Sequence, residues 1–416
     1  MPAVVGVEPV AKETLLFRHG NQSSVRAALI RGDERPGRAQ SINRRCLLSL
    51  AGGAVALAAV GCGGDEESTS MSTPTAGTPV GPVPGFDDPE RWKGRILRVG
   101  AWGAEVQTAL RQATWTPFAT ATGCRISEVT TDYGQLADAI RNGQSYADVL
   151  LVDAIWAATA ADNGYVQAAD LAAINPEAAA PFGGSDSAIP AYAYALIGGF
   201  RRDAMTTVAP PMGWAEWWDA TRYPGPRALA RDPFGSFEFA LLADGVESAD
   251  LYPLDGERAI DGLKAISERI VDRWWDSGAE PIHWLGTQRA DLASAWHYRI
   301  FAGQQDGLAV DLVWQQGLMV ADHWVVPVGA REPEVAVDYI RYALSAQAQA
   351  ELARQVPLGP VNAEAFRLLD PMVTSRLPTA PANLAQLVPV DAGWWAANRG
   401  EAMQRFNTWL LGRPSG

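Results

Sequence analysis

The sequence predicts an α/β protein built as two lobes. Short apolar runs alternate with segments of helical period, the pattern of a sheet flanked by helices. One run, Ala147-Asp148-Val149-Leu150-Leu151-Val152-Asp153, is almost continuously apolar, as in a strand buried on both faces. About 325 residues follow a polar, Pro/Gly/Ser/Thr-rich stretch, more than one core usually organises.

The elements follow in order. Ile96 to Trp102 reads as a strand, broken by Gly103. Val106 and Leu110, four apart, share a helix face, with Phe118 beyond. Arg125 to Thr130 is a second strand. Leu136 and Ile140 mark a short helix closed by Asn142-Gly143. Ala147 to Asp153 is the third strand. Ligands of open α/β sheets sit beyond the carboxyl ends of strands, which directs attention to Trp102, Asp153 and Trp156. A second pattern starts near 195. Trp214, Trp217 and Trp218 lie in PMGWAEWWDATRYPG, and RALARDPFG reads as a strand running into a turn. Ile260, Leu263, Ile266 and Ile270 mark a long amphipathic helix. Ala290 to Trp296 is a strand, Leu312–Trp314 and Trp324–Val326 are strand-like, and Ala336 to Ala353 is helical. Met403, Phe406 and Trp409, three apart, lie on a tail helix.

The N-terminal 61 residues are set apart from the fold. Arg44-Arg45 precedes an uncharged run, Leu47 to Val60, of 14 residues. A spanning helix needs about 20 residues, so this length suits the apolar region of an export signal instead. The arginine pair is similar to a twin-arginine signal, with a general secretory signal as the alternative. Ala59-Val60-Gly61-Cys62 resembles a bacterial lipobox, which implies lipidation of Cys62 and a cut before it. Residues 62–94 then read as a flexible tether.

From Cys62 onward the chain carries 26 basic and 43 acidic residues, net −17. Nucleic acids and anionic membrane surfaces need basic patches, so neither is an expected partner. Cys124 is the one cysteine left beyond Cys46 and Cys62, which excludes an internal disulfide and suits a small buried residue. His283, His297 and His323 have no zinc spacing. GxSxG, P-loop and GxGxxG motifs are absent. No cofactor, metal or catalytic residue is expected.

Seven pieces occur in fixed order: LRVGAWG, PFATATGCRISEV, ADVLLVD, GWAEWWDATRYPGPRALARDPFGSFEFALLADG, DLASAWHYR, ADHWVVPVGA and LGPVNAEAF. Together they resemble periplasmic solute-binding proteins of ABC importers, in the spermidine/putrescine-binding group, from about Ile96 to Leu411. The resemblance implies a type II-like periplasmic-binding-protein fold with discontinuous lobes joined by a hinge. Lobe 1 would be 95–195 plus 297–352, and lobe 2 would be 196–296 plus 353–416. It implies a monomeric, non-enzymatic receptor that is exported, held by a lipid on Cys62 at the outer face of the cytoplasmic membrane or in the periplasm, and delivers a polyamine-like cation to a permease.

Ligand residues follow from the resemblance and from position. Trp102 and Trp296 match pocket tryptophans of the family, and Asp232 and Asp322 match aspartates. Asp153 stands where polyamine binders have a serine, and Trp156 lies beyond the third strand. Tyr298, with Tyr192 and Tyr194, offers hydroxyls, and the Ser277-Gly278 turn borders the expected cleft. A desolvated ammonium requires carboxylate partners and gains from a tryptophan face. The chain departs from polyamine binders at Gly235, where they have a second carboxylate, at Ile155 and at Glu105, where they have tyrosines. An amino-acid-like solute or ferric iron is therefore an alternative on the same fold, and a secreted carbohydrate hydrolase is a further one.

Overall fold

The computed structural model describes residues 81–174, 182–267 and 271–412. The export signal, Cys62 and most of the tether lie outside the described residues, as does Ile270. Among the described residues the strands are β1 (Ile96–Ala101), β2 (Arg125–Thr130), β3 (Val149–Asp153), β4 (Ala188–Arg201), β5 (Arg227–Ala230), β6 (Val271–Trp275), β7 (Leu292–Trp296), β8 (Val310–Val325) and β9 (Val388–Pro389). They form one mixed sheet in the order β2-β1-β3-β8-β4-β7-β5-β6, with β9 paired to β8.

Two long strands hold the sheet together. β4 and β8 run antiparallel, from Ala188 opposite Val325 to Arg201 opposite Val310. Parallel β1, β2 and β3 attach through β3 to the end of β8. Parallel β5, β6 and β7 attach through β7 to the end of β4. Each set of parallel strands has its own core. One gathers Leu97, Val99, Trp115, Phe118, Leu151, Trp324 and Tyr339. The other gathers Trp214, Phe237, Phe239, Leu263, Leu292, Trp395 and Phe406. Ile189 of β4 belongs to the first core and Ile197 to the second; Trp324 of β8 belongs to the first and Leu318 to the second. Both long strands thus cross from one lobe to the other. β3 is fully buried from Val149 to Val152, as its apolar run requires.

Several elements differ from the sequence reading for local reasons. The two strand-like pieces near 312 and 324 are parts of one strand, β8, interrupted in its pairing where Gly198 faces Val313 but Leu196 faces Leu318. The helix expected over 336–353 is two, Pro333–Ala343 and Ala346–Gln355. Ser345 divides them by accepting a hydrogen bond from Ala348 N at 3.2 Å, an N-cap that starts a new helix. The turn expected after RALA is present: Asp232 caps the segment Pro233–Ala243, whose Phe234 and Gly235 keep non-helical backbone before the helix proper.

Candidate functional site

The site forms where β1 and β3 end beside the two long strands. Trp102 follows β1, and Asp153 is the last residue of β3. In the ladder Asp153 lies opposite Asp322 of β8, and Asp322 lies opposite Tyr192 of β4. Tyr192 and Tyr194, two apart, share a face of the strand. Three side chains converge on Asp322. Trp102 Nε1 and Tyr192 OH donate to Oδ2, each at 2.8 Å, and Tyr194 OH donates to Oδ1 at 2.9 Å. Asp153 starts the helix Ala154–Asp162: its Oδ1 accepts from Trp156 N at 2.8 Å, and its Oδ2 accepts from Tyr133 OH at 2.6 Å.

Aromatic rings enclose these carboxylates. Tyr133 stacks on Trp156 at 4.6 Å and meets Trp102 edge-on at 5.5 Å. Trp296, which ends β7, meets Tyr194 edge-on at 5.2 Å. Asp322, Tyr192, Tyr133 and Trp156 are buried, whereas Trp102, Asp153, Tyr194, Trp296 and Tyr298 are partly exposed. The buried set forms a floor and the others its walls.

Burial pushes the Asp322 carboxyl up to about 7, and the nearby Asp153 charge pushes the same way, against the three hydrogen bonds. Burial also raises Tyr192 and Tyr194 well above the usual phenol range, with Asp322 adding to both shifts. The site therefore stores unfavourable negative charge, which a cation would relieve.

One cationic side chain stands at the rim. Arg299, two residues into the helix His297–Gln305, pairs with Glu105 at 3.0 Å. Its guanidinium lies 5.6 Å from the Tyr298 ring centre. Arg299 Nε is buried without a hydrogen-bond partner among the described residues. Burial pushes Tyr298 up to about 12; Arg299 opposes that shift, while Glu105 and Asp322 add to it. Tyr298 thus feels both the guanidinium and the carboxylates.

Of the residues expected from sequence, the structure gathers Trp102, Asp153, Trp296, Tyr298 and Asp322, with Tyr192 and Tyr194. Trp156 is turned inward, 4% exposed, and stacks on Tyr133. Asp232 is engaged elsewhere: it caps its helix through Phe234 N at 2.9 Å and pairs with Arg399 at 2.8 Å. Among the described residues it makes no hydrogen bond or ion pair with the Asp322 cluster. Ser277 is exposed, and its turn borders the rim through Gly278, where a Cβ would come 2.8 Å from Trp296 Cδ1 and 3.0 Å from Arg299 Nε. The missing second carboxylate at Gly235 has a backbone reason. Gly235 has φ +81°, and a Cβ there would lie 2.4 Å from Leu196 Cδ2.

Sequence reading missed Tyr133 and Arg299. Tyr133 opens the helix Tyr133–Arg141, and nothing local joins it to Asp153, 20 residues away. Arg299 was legible only as a neighbour of Trp296 and Tyr298. Among the described residues no group of three or more His, Cys, Asp or Glu side chains is placed to hold a metal ion. Tyr192 and Tyr194 are committed as donors to Asp322 and held from ionising, which suits them poorly to ferric iron.

The sequence profile of the bacterial extracellular solute-binding proteins matches residues 113–382. A gamma-aminobutyric acid-binding protein of Pseudomonas aeruginosa is 30% identical over 321 residues, covering 75% of this chain and 90% of that one. A solved gamma-aminobutyric acid receptor is 31% identical with a TM-score of 0.71, covering 77% of this chain and 99% of that one. An ABC transporter substrate-binding protein from Bradyrhizobium japonicum is 27% identical with the same TM-score, covering 76% and 100%. A protein from Agrobacterium tumefaciens, solved with agropinic acid, is 26% identical with a TM-score of 0.66, covering 76% and 99%. The chain belongs to the bacterial extracellular solute-binding protein family, as a solute receptor of an ABC importer and not an enzyme.

Proposed function

We propose that the receptor captures a small zwitterion of the ω-amino-acid class, such as gamma-aminobutyric acid, with its ammonium on Asp322 and Asp153 and its carboxylate on Arg299. The observation that carries this reading is the pairing of a carboxylate floor with a guanidinium at the rim, divided by aromatic walls. Each carboxylate oxygen accepts about two hydrogen bonds. Asp322 Oδ1 and both Asp153 oxygens each accept one. Each therefore has room for one more donor, and an ammonium carries three. Trp102 and Trp296 would pack on the connecting methylenes. Arg299 would exchange Glu105 for the solute's carboxylate, giving its unpartnered Nε a bond.

The same geometry disfavours spermidine or putrescine. Asp153 and Asp322 are direct ladder partners, so they would grip one ammonium between them rather than two at the ends of an alkyl chain. A diamine would also bring its second charge toward Arg299. Two relatives are named for gamma-aminobutyric acid, which supports the zwitterion. We further propose that Cys62 carries the lipid and that the polar stretch after it lets the receptor reach its permease.

The test is a titration of the chain from Cys62 onward with gamma-aminobutyric acid and putrescine, read by tryptophan fluorescence and calorimetry. Saturable binding of the amino acid, lost in Arg299→Gln, supports the reading. Tighter putrescine binding that survives Arg299→Gln overturns it. For the anchor, Cys62→Ala should move the protein from the membrane fraction to the soluble one.

A further inference from the structure

The strand that carries Tyr192 and Tyr194 has an irregular outer edge. On one side β4 pairs with β8 along its length, with register shifts between Pro190 and Tyr192 and between Leu196 and Gly198. On the other, β7 stops at Trp296, opposite Leu196. The next rung would place His297 opposite Ala195, but the chain has turned into a helix there. The His297 side chain fills the place instead: its Nδ1 accepts from Ala195 N at 3.1 Å. Its Nε2 donates to Pro357 O at 2.7 Å. Two residues beyond Pro357, Gly359 resumes the pairing with Ala193, through bonds of 2.9 and 2.7 Å. Gln349 then donates to Ala191 O at 2.8 Å. The edge of β4 behind the tyrosines is thus completed by β7, an imidazole, the 357–359 segment and an amide.

We infer that His297 is a positioning residue for solute binding, a brace that holds β4, the Trp296–Arg299 segment and the Pro357–Gly359 segment in the register that aims Tyr192 and Tyr194 at Asp322. This inference rests on the reading that the Asp322 cluster binds the solute. His297 is fully buried, with Trp314 5.5 Å and Tyr298 5.7 Å from its ring. Its two bonds require a neutral ring with the proton on Nε2, and burial holds its pKa down at about 4. Because the ring both accepts and donates, an apolar side chain would leave the Ala195 amide and the Pro357 carbonyl unpaired. A glutamine amide can accept and donate in the same sense.

The experiment compares His297→Gln and His297→Leu in protein labelled with 5-fluorotryptophan, with Ile300→Val as a control for plain destabilisation of the same helix. Trp102 is the reporter, because it donates to Asp322, which Tyr194 also bonds, and Tyr194 adjoins the Ala195 amide that His297 holds. The expected result is a displaced Trp102 fluorine resonance in His297→Leu, and a near-native one in His297→Gln and Ile300→Val. With gamma-aminobutyric acid as probe, Kd should rise about tenfold or more in His297→Leu, the scale of one orphaned buried polar group, and stay within about threefold in the other two. A native Trp102 resonance in His297→Leu, or equal losses in all three variants, overturns the brace. If the wild-type protein does not bind gamma-aminobutyric acid, the zwitterion assignment falls, and the Trp102 resonance alone still decides the brace.

Discussion

Replacing Asp322 by asparagine should weaken solute binding while leaving the fold as stable as before, or more so. The side chain keeps its shape and loses its charge. Trp102 Nε1 and Tyr192 OH both point at Oδ2, so the amide oxygen belongs there. The amide nitrogen then faces Tyr194, whose hydroxyl can turn and accept. Burial raises the folded-state carboxyl from 3.8 to about 7, so ionising it above pH 7 works against folding by roughly 4 kcal/mol. Asparagine removes that burden, and Tm at pH 8 should hold or rise. Binding moves the other way. Losing one partner of a buried, hydrogen-bonded charge pair costs about 2–5 kcal/mol, or roughly 30- to several-thousand-fold in Kd. Thermal melts at pH 8 and calorimetric titration with gamma-aminobutyric acid read the two effects separately. A variant that binds within about threefold of wild type would refute the assignment of the ammonium to Asp322. A large fall in Tm would refute the electrostatic account of the site.

Affinity for gamma-aminobutyric acid should fall as pH drops below about 7, approaching tenfold per pH unit as Asp322 takes up a proton, and Asp322→Asn should flatten this dependence between pH 8 and 5.5. Tyr194→Phe removes one donor from Asp322 and should raise Kd about 3- to 10-fold at pH 7, the scale of a single hydrogen bond, measured by the same titration. Stability against pH carries two opposed contributions. His297 and His323 are held at about 4, so their stabilisation is full above 6.5 and is lost as pH falls toward 4. Glu238 and Asp322 are raised to about 7, so stability is gained as pH falls from 7 toward their unfolded values. Glu238→Gln removes one gain, and its Tm should fall more steeply than wild type between pH 7 and 4.5. Gly235→Ala should lower stability by about 1–3 kcal/mol in denaturant titration, because the residue combines positive φ with a Cβ position 2.4 Å from Leu196 Cδ2.

Much of the fold was legible because its signals are local. The apolar run of β3 announces a strand buried on both faces, and Val149 to Val152 are fully buried. The spacing of Ile260, Leu263 and Ile266 announces one helix face, and all three are buried in Gly256–Ser267. Trp102 and Asp153 stood out because strand ends are where α/β sheets place ligands, and both lie in the cluster. The sequence alone therefore determined the α/β class, the ends of β1 and β3 as the place to look, and a receptor rather than an enzyme.

The remainder depended on distances along the chain that no local pattern spans. Tyr133 reaches Asp153 across 20 residues, and Trp102 reaches Asp322 across 220. Asp232 sits before an apolar helix in a motif suited to a ligand carboxylate, yet Arg399, 167 residues later, takes its charge. The antiparallel pairing of β3 with β8 makes Asp153 and Asp322 neighbours, which is the basis for proposing one ammonium between them rather than two. Local sequence fixes which face of an element is apolar. Only the register of β3 and β4 against β8 decides which charges and hydroxyls meet, because electrostatic pairing depends on separation in space.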